Sequence, residues 1–241
     1  MRRILLALCV FSSPLWAGLE IDRRITAGTE GDGQRMLLRE SYDGKKQRVD
    51  LLDADGKKTT GRLSLFDEGK GEIYVFDEHE KKFLVTPLRG LATPKRKVAK
   101  ATATTFEKIG SGKVGSWSCT RYRVTRDGKR LGEACTVPLP ALGLSAKDLG
   151  AYGRVNEQDW APGGDGNDSR WTLETSHGFP VEVVAESGPG LPASHVEVLA
   201  VRKVAFTADH FAMPKNYQRA ETPALPGSVV APPPHATPAR P

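Results

Sequence analysis

The residues of this 241-residue chain best placed to do chemistry are Cys119 and Cys135. They stand equidistant from Asp127 in Trp117-Ser-Cys-Thr-Arg-Tyr-Arg-Val-Thr-Arg-Asp-Gly-Lys-Arg-Leu-Gly-Glu-Ala-Cys135. That chemistry is oxidation to a disulfide across a hairpin. A redox-active dithiol needs the close Cys-x-x-Cys spacing that is absent here, so the pair is read as structural, with two unpaired core thiols as the alternative.

Other constellations fail on spacing. Gly110-Ser-Gly-Lys-Val-Gly-Ser116 has the outline of a phosphate loop, but Val114 stands where Ser or Thr is needed and the partner glycine is misplaced. It reads as a flexible turn. Asp165-Gly-Asn-Asp168 suggests a calcium loop, yet Arg170 and Ser176 occupy the positions of the required Gly and Glu, which leaves a surface loop. His79, His177, His195, His210 and His235 show neither His-x-x-x-His nor His-Glu-x-x-His spacing, which argues against zinc. No Gly-x-Ser-x-Gly elbow supports a hydrolase. Trp117, Trp160 and Trp171 are available to line a ligand groove, though core or rim packing is the commoner use of such rings. The expectation is a non-enzyme with no catalytic residue, metal or cofactor.

The compartment is read from the start of the chain. Met1-Arg-Arg, an apolar run from Ile4 to Phe11, and Pro14-Leu-Trp-Ala17 before Gly18 make a secretory signal peptide over residues 1–17. The apolar run is far shorter than the roughly 20 residues needed to span a bilayer. A lipoprotein would carry Cys9 at the end of that run behind a small residue, whereas Leu8 precedes it. Removing the segment takes Cys9 away and leaves Cys119 and Cys135 in an oxidising periplasm, where they are expected to pair. It also removes Arg2 and Arg3 and no acid, so the formal net charge of +6 falls by 2 to +4. That mildly basic balance does not demand nucleic acid. The densest basic run, Lys95-Arg96-Lys97 with Lys100, has no aromatic interleaved. Its plain reading is a solvated helix face, and its functional reading is contact with an anionic membrane surface or envelope polymer.

The elements that must position these groups are announced by their turns. Asp-Gly-Lys recurs at 43–45, 55–57 and 127–129 between segments rich in apolar and β-branched residues, a hairpin signal. Expected strands cover 19–27, 34–42, 47–54, 60–66, 72–76, 82–86, 117–125, 129–137, 170–175, 181–186 and 195–207. Alternation breaks in Ile73-Tyr-Val-Phe76, as in strands covered on both faces. Thr93 can cap a helix from Pro94 towards Thr104, and Ser145 a short one over Ala146–Tyr152 with Asp148 in the capping-box position. The class is mainly antiparallel β with one or two helices packed on the sheet, in a single domain over residues 18–219. Residues 220–241, rich in Pro and Ala, hold too few packable side chains to offset the entropy of ordering them, and read as a disordered tail.

The hairpin register sets the cysteine geometry. With Arg126-Asp127-Gly128 as a three-residue loop, Thr125 pairs with Lys129 and Cys119 falls directly opposite Cys135. A two-residue Asp127-Gly128 turn leaves the cysteines diagonal, and a bulge near Gly132 changes the hydrogen-bonding parity. A crosslink closing a loop of this length stabilises by roughly 3 kcal/mol in the chain-entropy account.

These residues also carry a family likeness. Trp117-Ser-Cys119-Thr-Arg-Tyr122-Arg-Val124, followed by Asp127-Gly128-Lys, resembles the central motif of a bacterial secreted family catalogued as domain of unknown function 4412, whose members show a similar Cys-x-[Lys/Arg]-Tyr-x-Val strand and hairpin. Ile73-Tyr-Val-Phe-Asp77 with Lys81-Lys-Phe-Leu-Val-Thr86 is similar to the family's paired strands. Phe211-Ala-Met-Pro214-Lys-Asn-Tyr217 is similar to its Phe-x-x-Pro-x-x-Tyr ending, so the resemblance spans about residues 19–217. The family pattern does not require a cysteine at the position of Cys135, and the insert Asp159–Asp168 is longer than a tight connection.

The resemblance implies a fold like that of the periplasmic lipoprotein carrier LolA and its outer-membrane receptor. That fold is a curved, open half-barrel of antiparallel strands with helices in its concave face and room between for acyl chains. No catalytic residues are defined for the family, so none carries over. Two functions follow as expectations. One is a non-enzymatic periplasmic carrier for a lipid or lipoprotein acyl chain. The other is an envelope interaction protein with a filled core, acting through the Lys95 segment or the Pro-rich tail.

Overall fold

The computed structural model describes residues 18–28, 34–87, 104–150, 152–153, 176–187 and 192–220. The expected signal peptide, the helix body after Pro94 with Lys95, Arg96, Lys97 and Lys100, the strand at 170–175, the insert with Asp165–Asp168, and the tail from Glu221 lie outside the described residues. Among the described residues no helix is long and apolar enough to cross a membrane.

Twelve strands form one sheet. They are β1 (Gly18–Ala27), β2 (Gln34–Asp43), β3 (Lys46–Leu52), β4 (Thr59–Asp67), β5 (Glu72–Asp77), β6 (Lys82–Pro87), β7 (Thr104–Val114), β8 (Trp117–Arg126), β9 (Lys129–Val137), β10 (Phe179–Ala185), β11 (Ser194–Val204) and β12 (Gln218–Arg219). Their order is β12-β6-β5-β4-β3-β2-β1-β11-β10-β9-β8-β7, and among the described residues β12 and β7 are the two ends, so the sheet is open. Two meanders, β1 to β6 and β7 to β11, are joined where β1 pairs antiparallel with β11. The short β12 runs parallel to β6 and is the exception to antiparallel pairing. The mainly antiparallel class expected from the turn signals is the observed one, with almost no helix among the described residues.

Three sequence expectations are corrected. The glycine-rich 110–116 segment is not a flexible turn: most of it is strand β7, and Thr104 begins that strand instead of ending a helix. Gly112 lies opposite Cys119, and a Cβ there would stand 2.6 Å from Arg121 Nε and 3.2 Å from Cys135 Sγ. The glycine allows close packing of an edge strand, a use that turn statistics do not separate from a turn.

The second correction concerns Ser145. Its backbone N–H and hydroxyl both donate to Asp148 Oδ2 at 2.7 Å, so the capping contact forms. Beyond the cap residues 146–149 make turns, with Gly150 N–H donating to the Lys147 carbonyl, and the helix begins only at Gly150, continuing with Tyr152 and Gly153, whose N–H donates to the Leu149 carbonyl. Glycine costs each such position roughly 1 kcal/mol of helix propensity.

The third is the cysteine register. Arg126 pairs with Lys129 across a two-residue turn in which Asp127 (φ 53°) and Gly128 (φ 72°) are both left-handed. Type I′ geometry matches strand twist and wins over the three-residue loop. Alone, that turn would point the cysteines to opposite faces. A bulge between the Val124–Gly132 and Thr125–Arg130 pairs inserts Leu131 and places Cys135 opposite Arg121. Cys119 is then diagonal to Cys135 on the same side, and the two are disulfide-bonded with Cα atoms 5.5 Å apart.

Alternation along β1 to β6 creates two faces. Leu19, Ile21, Tyr42 and Phe66 point to one of them and join the disulfide, Val137, Tyr152, Phe179 and Val181 in the largest apolar core. The other face carries charged side chains at its centre. At one end of it Leu65, Tyr74 and Phe76 are covered by Phe211, Phe206, Met213 and Tyr217 of the C-terminal segment.

Candidate functional site

Strand residues of the second face alternate into a belt of ion pairs. Arg202 on β11 reaches Glu20 Oε1 (2.7 Å) and Asp22 Oδ2 (2.6 Å) on β1. Arg39 on β2 grips Asp22 with Nε (2.8 Å) and Nη2 (3.1 Å). Burial pushes the Asp22 carboxyl up, but the bonds from Arg39 and Arg202 outweigh it and hold the group below its ordinary value. On β3, Asp50 sits between two arginines: Arg48 Nε lies 2.6 Å from Oδ2, and Arg62 Nε 3.6 Å from Oδ1.

Arg62 reaches that position through a bulge. Val49 pairs with Ser64 but Asp50 pairs with Arg62, so Leu63 is the extra residue that turns the guanidinium onto the belt face. A second irregularity follows between Leu51 and Leu52. Bulges re-aim side chains in this way and gather beside functional sites.

The result is a cleft of about 250 Å³ between β3, β4 and the C-terminal segment, whose lining includes Arg48, Asp50, Thr59, Arg62, Lys81 and Tyr217. Arg48 Nη1 donates to the His210 carbonyl and Arg62 Nη1 to the Ala212 carbonyl, each at 2.7 Å, which straps the C-terminal segment to the sheet. Glu78 accepts from the Arg62 backbone N–H (2.8 Å) and pairs with Lys81 and the Tyr217 hydroxyl. A Cβ on Gly61 would stand 2.4 Å from Glu78 Cγ, so glycine makes room for that carboxylate.

The motif residues singled out from the sequence fall in two places. On the hairpin, Trp117 packs against the large core, and Tyr122 and Phe106 hold the His177 ring between them at 5.0 and 4.8 Å. Val124 is fully buried with Ala134 and Val183, and Asp127-Gly128 form the turn. At the other place Phe211 is buried beneath the strap, while Pro214 and Tyr217 line the cleft. The described histidines do not gather: His195 pairs with Glu182 at 3.2 Å, and His210 stacks on Phe206. Among the described residues no three His, Cys, Asp or Glu side chains are grouped to hold a metal. The sequence reading missed Glu20, Asp22, Arg39, Arg48, Asp50, Arg62 and Arg202. Their signal was present as charges repeating every second residue, Glu20-x-Asp22 and Arg48-x-Asp50, in alternation with the apolar Ile21 and Val49.

A model of the family described as "Domain of unknown function (DUF4412)" matches residues 38–217, a range that holds both motif regions and the cleft. The chain belongs to this family. No curated protein matches it. Solved structures overlap with it loosely. An uncharacterized conserved protein from Thermus thermophilus shares 9% identity over 86% of this chain and 91% of that one, with a TM-score of 0.47. A LolA superfamily protein from Nitrosomonas europaea shares 9% over 83% and 92% (TM-score 0.34). A putative outer membrane lipoprotein-sorting protein domain from Vibrio parahaemolyticus shares 6% over 81% and 89% (TM-score 0.36). Overlaps of this size carry no functional inference, so the function of this member of the DUF4412 family is argued from its own residues.

Proposed function

We propose that the protein is a non-enzymatic binding module of the bacterial envelope that holds an apolar ligand, a lipid or lipoprotein acyl chain, against exposed side chains of its apolar sheet face. One observation carries this reading. Val75 and Leu84 pair across β5 and β6, on the face that also holds Phe66 and Ile73, yet they are 47% and 39% exposed. Adjacent exposed apolar side chains at paired strand positions are a candidate interaction surface. The signal peptide read at residues 1–17 and the disulfide both suit an oxidising envelope compartment.

The test is native mass spectrometry of protein purified from the periplasm, with fluorescent fatty-acid uptake alongside. Copurified lipid and uptake that Leu84→Glu abolishes without loss of fold are expected. Finding neither lipid nor uptake sinks the carrier reading.

A second reading has its own support. Tyr42, Tyr152 and Phe179 are each no more than 2% exposed, so the space beneath the Ser145 turns is filled by the protein's own side chains. That favours an envelope interaction protein working through its surface, and it is the reading that survives if no lipid is found.

A further inference from the structure

The cleft beside β4 contains more cationic donors than its own acceptors use. Arg48 and Arg62 each spend Nη1 on a backbone carbonyl of the strap and share the single carboxylate of Asp50. A guanidinium carries five N–H groups in a planar fork, so the Nη2 end of each remains for the cleft. Asp50 Oδ1 and Arg62 Nε are both buried and make no hydrogen bond, facing one another at 3.6 Å, so Arg62 is loosely neutralised. Unbonded buried polar atoms are uncommon in native proteins. Lys81 adds an ammonium at the rim, with Thr59 and Asn216 beside it. Three cations therefore face two acids, and one of these, Glu78, is already engaged by Lys81, Tyr217 and the Arg62 backbone. Burial chiefly, and then the neighbouring Arg48 guanidinium, lower the pKa of Arg62.

We propose that this cleft binds a phosphate-type oxyanion between the outer edges of the Arg48 and Arg62 guanidinium groups, with Lys81 at its rim. Planar forks suit phosphate oxygens, which accept two parallel bonds from one arginine. The volume of about 250 Å³ fits a single phosphate group, free or as the head of a larger molecule. The site lies on the belt face, away from the Val75–Leu84 strip, and stands independently of the apolar-ligand reading.

The experiment is a titration of the intact mature protein with inorganic phosphate at low ionic strength, followed by amide NMR. Saturable shifts are expected at Gly61, Arg62 and Asn216. Arg62→Gln should bind about tenfold more weakly, the worth of one charged bidentate contact. Lys108→Gln makes the same charge change on the distant edge strand β7 and should bind as the wild type does. If Arg62→Gln fails to fold, Lys81→Gln, which holds no strap carbonyl, should weaken binding about threefold. Competition by phosphatidylglycerol vesicles would assign the phosphate to a lipid headgroup, and lack of competition to a free solute. Absence of saturable shifts, equal weakening by Lys108→Gln, or an unchanged affinity in Lys81→Gln overturns the site.

Discussion

The apolar core and the charged belt handle their ionic groups in opposite ways. In the core, Arg23 is buried and gives Nε to Glu40 at 2.9 Å and Nη2 to the Tyr152 hydroxyl at 3.3 Å. Tyr42 donates to the same Glu40 oxygen at 3.0 Å. Burial pulls the Arg23 pKa down, but Glu40 and the two tyrosines overcome it and hold the guanidinium above its ordinary value. Each charge there has a committed partner. In the belt, carboxylates are shared: Asp22 serves two arginines and Asp50 another two. A committed pair locks one arrangement. Shared carboxylates leave donors over, which suits a surface that exchanges partners.

The comparison breaks most sharply on removal of one charged group from each region. Glu40→Leu strands the Arg23 charge in an apolar core and should destabilise by about 3–5 kcal/mol, read as a lowered urea midpoint. Arg202→Leu removes a belt cation whose side chain is 39% exposed, and should stay within about 1 kcal/mol. Similar losses from both substitutions would erase the distinction between the regions.

The second lever is covalent. Cys119 and Cys135, separated by 16 residues, anchor the core at the hairpin. Replacing both by serine should cost about 3 kcal/mol, again in urea. Unfolded, unreduced protein from Gly18 onward should show no free thiol, and two thiols would refute the crosslink.

The hairpin illustrates what the sequence made legible. Asp127-Gly128 and the cysteine spacing announced the turn and the crosslink, because turn chemistry is local. The register was out of reach: it depends on Leu131 bulging out of β9, which is settled by what β8 and β9 must bury in common. Gly112 misled for a related reason, since its use is contact with Arg121 and the disulfide and not a turn. The cleft was harder still. Arg48, Arg62 and Lys81 meet Pro214 and Tyr217 from the far end of the chain, and the bulge at Leu63 decides which way Arg62 points. The Phe211-x-x-Pro214-x-x-Tyr217 motif marked one wall of it, but the charges opposite had no signal of their own until pairing placed them together.

The smallest effect separates the regions by pH. Burial pushes the Glu78 carboxyl up, but Lys81, the Tyr217 hydroxyl and the Arg62 backbone N–H overcome this and bring it from 4.5 down to about 2. Asp148, beside the core, is brought from 3.8 to about 2 chiefly by Lys203 and Ser145. A carboxylate whose pKa is depressed on folding contributes stability that is whole above its unfolded value and lost as pH falls through the folded one. The Glu78 contribution should therefore fade between about pH 4.5 and 2, and that of Asp148 from slightly lower. Glu78→Gln keeps the shape and removes the titration, so its urea midpoint should fall less than the wild type's across that window, by an amount on the order of 1 kcal/mol or less. The regions then part in what is exposed. Protonating Glu78 loosens the strap, so limited proteolysis near Lys215 should rise as the pH falls to about 2 in the wild type, whereas Asp148→Asn should leave that cleavage unchanged because the disulfide-bonded core holds its own turns. Strap cleavage that tracks Asp148 instead would mean that the belt and the core unfold as one unit.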